Sequence, residues 1–469
     1  MAGWTTLTKL VDEEFKQAIE EGKDASLVEP LRAEWTAAGD DEQKLQMVWD
    51  KLQVLPIRDD FPFDEPSDLP GIRSKRAHAA RQVKLAYGDD VLYDRTYGAW
   101  LGRCAGCALG KPIEGFMGES AGLSSKDRVK LYLTAIAPSE WPMNNYVPQH
   151  SPAEETSGKA SCLPSTREHI KFMESDDDIR YTVIGQKIFT DVGKGFTTYD
   201  MMQLWLDALP YRWVCTAETQ AYRNYVIRYQ DHTQAWQGVP SAQRDQGVDW
   251  AWVATHQNPY REWIGAQIRA DHFGYAAPGN MELAAEFAWR DARMSHIKNG
   301  IYGEMFVAAM VAAAYVYDEP LVIIEAGLAE IPASSRLYHE MKLVIDICRK
   351  YHNDPANFEA VHGDIYKILG HYHCVHTNNN AALVVAGLLL GGHDFEKVIT
   401  IAVMGGWDTD CNGATAGSIA GAMIGAAKLP KKWTDPLNDT LNSLIAGYHP
   451  IAISECAKRS VGIARRVIE

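Results

Sequence analysis

The stretch "GAWLGRCAGCALG" (residues 98–110) places Gly98, Gly102, Gly106 and Gly110 at four-residue intervals, and "GATAGSIAGAMIG" (residues 413–425) does the same with Gly413, Gly417, Gly421 and Gly425. On a helix each set forms one narrow stripe. A helix-interior glycine costs about 1 kcal/mol relative to alanine, so two such stripes need a compensating gain, and close backbone approach supplies one. Both segments are too short for a membrane span, and Arg103 interrupts the first. The spacing therefore predicts two helices deep in a bundle, packed on each other. If the Asp408/Asp410 turn at the start of one meets Glu114, just past the end of the other, they run antiparallel.

Around these segments the patterning is helical almost throughout. "EMFVAAMVAAAYVY" (304–317), "SSRLYHEMKLVIDICRKYH" (334–352) and "NNAALVVAGLLLGG" (379–392) repeat apolar residues at three- and four-residue intervals, and period-two strands are scarce. The fold class that follows is all-α. Residues 1–70 read as an N-terminal helical extension ending in the proline-rich connector "PIRDDFPFDEPSDLPG" (56–71), and residues 71–469 as the main domain. A Trp/Tyr-rich insertion lies around 204–265, its rings expected mostly in a core.

The 469 residues are 46% hydrophobic and 23% charged, which fits an ordered globular chain. A net charge of -15 without a Lys/Arg cluster argues against nucleic acid as a partner. No signal-like or membrane-length apolar run is present, and a soluble, cytoplasmic protein is expected. The eight cysteines read as reduced thiols, and Cys104 and Cys107, lacking a second C-x-x-C, as core residues rather than a zinc site.

Two acidic turns precede apolar helical patterns: "ESDDDIRYTVIG" (174–185) and "GGWDTDCNGATAG" (405–417). Each alone reads as readily as a helix cap. Their duplication, with Glu114 beyond a third helix, points instead to a cluster of carboxylates in an apolar bundle, where desolvation and repulsion would cost several kcal/mol per group. Bound divalent cations remove that cost, and hard oxygen donors favour Mg²⁺, Mn²⁺ or Ca²⁺ over zinc.

At these residues the sequence resembles the ADP-ribosylglycohydrolase family, which includes the dinitrogen-reductase-activating hydrolases. The resemblance runs from about Asp94 to the C-terminus on the ordered motifs "GAWLGRCAGCALGKPIEG", "SDDD", "DARMSHIKNGIYGEMFVAAM", "HTNNNAALVVAGLLLG" and "GGWDTDCNGATAGSIAG". It implies a compact orthogonal all-α bundle holding two divalent cations, Mg²⁺ first and Mn²⁺ second. By the resemblance, Ser175, Asp176, Asp177, Asp408, Asp410 and Cys411 are metal ligands, and Glu114, Asp177 and Asp410 are catalytic. Two departures stand out: Ser175 replaces the usual threonine and keeps a hydroxyl, while Cys411 replaces a hydroxyl with a thiol, a poor partner for a hard cation.

"KNGIYGEMF" resembles the family's loop and helix start that receive substrate phosphates, which implies Lys298, Asn299, Gly300, Tyr302 and Gly303 as substrate-binding residues. A plain helix cap is the competing reading. His376, Gly406 and Trp407 complete the expected substrate set, although a lone histidine before an apolar helix is more often structural. The implied activity is a glycosidase that hydrolyses the ribosidic bond of an ADP-ribosylated acceptor, a small molecule or a modified protein, with the cations holding ribose hydroxyls and acidifying water. Hydrolysis of a small N- or O-riboside is the alternative within the enzyme class, and an inactive ADP-ribose-binding module the alternative outside it.

Overall fold

The computed structural model describes residues 6–229 and 237–468, so residues 230–236 of the Trp/Tyr-rich stretch lie outside the described residues. Helices make up nearly all of the regular structure, and the sheet found among the described residues is a two-residue antiparallel pair, Thr440–Leu441 against Ile451–Ala452. The chain has an all-α fold.

Helix α1 (Leu7–Glu20) opens with Thr6 accepting from the Lys9 amide at 3.4 Å. Its apolar face, Leu10, Val11, Phe15 and Ala18, packs with Leu45, Val48, Trp49 and Leu52, and the same cluster takes in Ala217, Tyr260 and Trp263. The extension thus shares its core with the Trp/Tyr-rich stretch. Buried ions tie the two further, since Arg261 bonds Glu14 and Glu21 at 2.6 Å each.

The elements that build the site are α2 (Asp89–Gly110), α3 (Asp177–Asp191), α4 (Lys298–Ala314), α5 (Thr377–Gly391) and α6 (Thr409–Ile424). Helix α4 is buried on every face along almost its whole length, as expected of a helix apolar all round, and α5 is buried throughout. Each therefore serves as a central strut against which the others pack.

The two glycine stripes meet. Gly98 faces Gly421, Gly102 faces Gly417, Gly106 faces Gly413, and Gly110 faces Thr409, so α2 and α6 run antiparallel. At every pair a Cβ would overlap the partner's backbone carbonyl. The contact is completed by Thr409, whose Oγ1 donates to the Gly110 carbonyl at 2.8 Å. Because α2 ends where α6 begins, the residues after Gly110 and before Thr409 are brought to one end of the seam.

Candidate active site

That end of the seam is acidic. Past Gly110 the chain forms a short 3₁₀ turn, Lys111–Phe116, which carries Glu114. Opposite it, Gly406 (φ 76°) and Trp407 (φ 53°) make a left-handed turn that aims Asp408 inward. A side chain at Gly406 would collide with Ser125, and Trp407, unusual for a bulky residue at positive φ, is held by its amide donating to Ser125 Oγ at 2.7 Å and by stacking on Tyr366 at 4.1 Å. Asn380 of α5 fixes the next step, its Oδ1 accepting from the Asp408 amide at 3.1 Å and from Asn412 Nδ2 at 2.9 Å.

Asp408 stands at the N-cap position of α6, yet its side chain makes no capping hydrogen bond. Asp410, which would cap a helix opening at residue 412 or 413, instead lies inside the first turn. Asp408 Oδ1 and Asp410 Oδ1 are buried with no hydrogen-bond partner. Glu114, Asp408 and Asp410 each present an oxygen within 4.8 Å of the others'. Unpartnered buried carboxylate oxygens converging in this way match the hard donor set of a divalent cation, and the arrangement fits one.

The second acidic turn arrives from α3. Asp176 caps that helix, its Oδ1 accepting from the Asp178 amide at 3.0 Å, so the capping and clustering readings both apply to it. Its Oδ2 is ion-paired with the buried ammonium of Lys111. Asp178 is buried against Arg103, which also pairs with Asp271 at 2.7 Å. Cys411 donates its thiol to Asp178 Oδ2 at 3.2 Å. Ser175 Oγ accepts from Arg180 at 2.9 Å and lies 3.4 Å from the Ser443 carbonyl, so protein partners already engage it.

These neighbours set the protonation states. The Asp410 charge and then burial hold the Glu114 carboxyl well above the usual range. Burial, followed by the Asp176 charge, pushes Asp177 up to about 7 and Asp410 up to about 6. Burial also raises Asp176, but the Lys111 ammonium outweighs it and holds that group at about 2. The Cys411 thiol stays protonated through burial and the Asp178 charge, which leaves it a soft, neutral neighbour.

A cavity of about 200 Å³ opens over the cluster, lined by Glu114, Asp177, Asp408, Asp410 and Cys411, by Glu218, and by a wall that includes Tyr181, Trp263 and His373. Trp263 and His373 stack face to face at 4.1 Å. Among the described residues no lysine or arginine lines this cavity.

The residues expected to receive substrate phosphates, Lys298, Asn299, Gly300, Tyr302 and Gly303, do not line this cavity. Lys298 Nζ bonds Glu21 at 2.8 Å, and its amide donates to Ser67 Oγ at 3.1 Å. The Asn299 amide donates to the buried Glu262 carboxylate at 3.1 Å, and Tyr302 OH to the Pro66 carbonyl at 2.5 Å. Gly300 packs on the Arg261 carbonyl and Gly303 on Thr377. The start of α4 is thus capped from inside by a carboxylate and covered by the connector. His376 caps α5 by accepting from Asn378 at 3.1 Å, stacks on Tyr372 at 4.2 Å, and is pushed down to about 3 by burial. Gly406 and Trp407 shape the turn behind Asp408 and do not line the cavity.

Lys111, Asp178, Asn380 and Glu218 were not anticipated as site residues. A lysine three positions before Glu114, a third consecutive aspartate and a run of three asparagines were visible signals.

Against this geometry, the family model for ADP-ribosylglycohydrolases matches residues 88–459. The chain belongs to the ADP-ribosylglycohydrolase family, and that membership makes it a glycosyl hydrolase. A solved structure described as an ADP-ribosylglycohydrolase-related protein complex is similar at 18% identity with a TM-score of 0.46, over 81% of this chain and 100% of that one. Comparison with curated proteins gives no match. No helix among the described residues is long and apolar enough to cross a membrane.

Proposed function

We infer that the chain hydrolyses the ribosidic bond of an ADP-ribosylated acceptor at the cavity bounded by Glu114, Asp177, Asp408 and Asp410, with a divalent cation, Mg²⁺ or Mn²⁺, held by Asp408, Asp410 and Glu114. The observation that carries this reading is the pair of buried, unpartnered oxygens on Asp408 and Asp410 facing Glu114. A cation bound there would supply positive charge to orient ribose hydroxyls and make water more acidic.

The protein's own groups divide the remaining work. Glu114, ionised as a ligand of the cation, orients the attacking water toward C1″. Asp177, set near neutrality, takes the proton of the attacking water. Trp263 and Tyr181 form an apolar wall that limits bulk water around the oxocarbenium-like transition state.

Two observations favour a small N- or O-riboside as a second reading of the substrate. The cavity is small beside the roughly 300–1,000 Å³ of drug-sized ligand sites and, among the described residues, offers no lysine or arginine to a diphosphate. In addition, the amides at the start of α4 are already taken by Ser67 and Glu262. A panel of ADP-ribosyl-arginine, ADP-ribosyl-serine, ADP-ribose phosphoesters and simple nucleosides, assayed with and without Mg²⁺ or Mn²⁺, decides between them. Turnover of ADP-ribosyl compounds alone supports the first reading and turnover of nucleosides alone the second. Tight ADP-ribose binding without turnover of any compound would leave only a binding role.

A further inference from the structure

The acidic constellation divides into a bare half and a neutralised half. On the α6 side, Asp408 and Asp410 are about 95% and 98% buried by their 5% and 2% exposures, and each keeps an oxygen with no partner. On the α3 side nothing is left over at Asp176. One of its oxygens accepts from the Asp178 amide, and the other is paired with Lys111 Nζ. Ser175, the hydroxyl expected beside it, is engaged by Arg180 and faces the Ser443 carbonyl.

Lys111 is no surface residue that happens to reach in. It directly follows Gly110, whose missing side chain lets α2 close on the Thr409 backbone, so the seam itself delivers the ammonium to the acidic end. Its side chain is 10% exposed and that of Asp176 is 2% exposed, which makes the pair a buried one with little water to screen it. Of the other donors around Asp176, Cys107 Sγ is a soft sulfur and Asp178 is already engaged by Arg103 and the Cys411 thiol, which leaves the Asp177 carboxylate as the free hard donor beside it. A second hard cation at Asp176 would meet a fixed positive charge at bonding distance and find few free oxygens.

We propose that Lys111 stands in for the second cation, so that the site operates with one divalent ion on the Asp408, Asp410 and Glu114 side and one built-in ammonium on Asp176. This rests on the reading that the cluster holds a metal. The chemical consequence is that one of the three positive charges at the acidic cluster is permanent and cannot be removed by a chelator.

The test is to count Mn²⁺ on the purified full-length chain by equilibrium dialysis and to record its electron paramagnetic resonance spectrum, beside Lys111→Met and Lys111→Arg. The expected result is a single Mn²⁺ per wild-type chain with an isolated-ion spectrum. Lys111→Met should take up a second ion and develop a spin-coupled spectrum, while Lys111→Arg should stay at one. Two ions on the wild-type chain, or one ion on a folded Lys111→Met chain, would overturn the proposal. No bound ion in any chain would overturn the metal reading on which it rests, a distinguishable failure. Should Lys111→Met not fold, the wild-type count and spectrum still decide.

Discussion

Gly106 and Gly413 face each other across the α2–α6 seam, and the space where either would carry a Cβ is occupied by the other's carbonyl. This contact, repeated along the seam, fixes how far Glu114 stands from Asp408 and Asp410. An alanine at either position should therefore cost stability, although glycine-to-alanine in an ordinary helix interior gains about 1 kcal/mol. Gly106→Ala is expected to destabilise by about 3 kcal/mol through overpacking. Gly363, inside the helix Phe358–Leu369 with open space at its Cβ, is the internal contrast, and Gly363→Ala should stabilise. Thermal unfolding of both variants checks the opposite signs.

Replacing Asp408 and Asp410 together by alanine removes two carboxylates that each leave one buried oxygen without a partner. Turnover should fall by more than about 10²-fold, since even residues that only support metal ligands cost 10–100-fold in metal affinity or activity. Helical circular dichroism should remain, because neither side chain caps the helix it begins. Retained metal-dependent activity would remove these residues from the mechanism.

Protonation gives a second handle. Asp410 and Asp177 rise from an ordinary 3.8 to about 6 and about 7, first through burial and next through the Asp176 charge. Between those values the metal-free folded chain holds protons that the unfolded chain has released, so its stability falls as pH rises through that window. Chelated protein should melt at a lower temperature at pH 8 than at pH 5. Added Mn²⁺ should raise the melting temperature more at pH 8, where protons no longer compete for the carboxylates. A metal response equal at both pH values would contradict the assignment.

The burial of Lys298 against Glu21 predicts an unusual pattern for a residue at a family binding motif. Lys298→Met should leave KM within about twofold of the wild-type value, since uniform binding energy is not lost, while lowering the unfolding temperature. A KM increase of about tenfold or more at unchanged stability would return Lys298 to the substrate site. Steady-state kinetics and a melt on the same preparation separate the two.

The sequence alone carried the period-four glycines, the paired acidic turns and the helical patterning, because each is a local signal: spacing sets a helix face, and two charges close in sequence are close in space. From these came the all-α fold and the packing of the two glycine-striped helices, while their antiparallel course followed only on the condition that Glu114 meets Asp408 and Asp410. What only the tertiary structure decided is which charge answers which. Lys111 and Asp176 are 65 positions apart, and the Asn299 amide and Glu262 are 37 apart, so no periodicity links them. A motif that receives an anion and one that is filled by the chain's own carboxylate look the same in one dimension. The difference arises when burial forces every polar group to find a partner, and the partner is supplied by whichever element folding brings within reach.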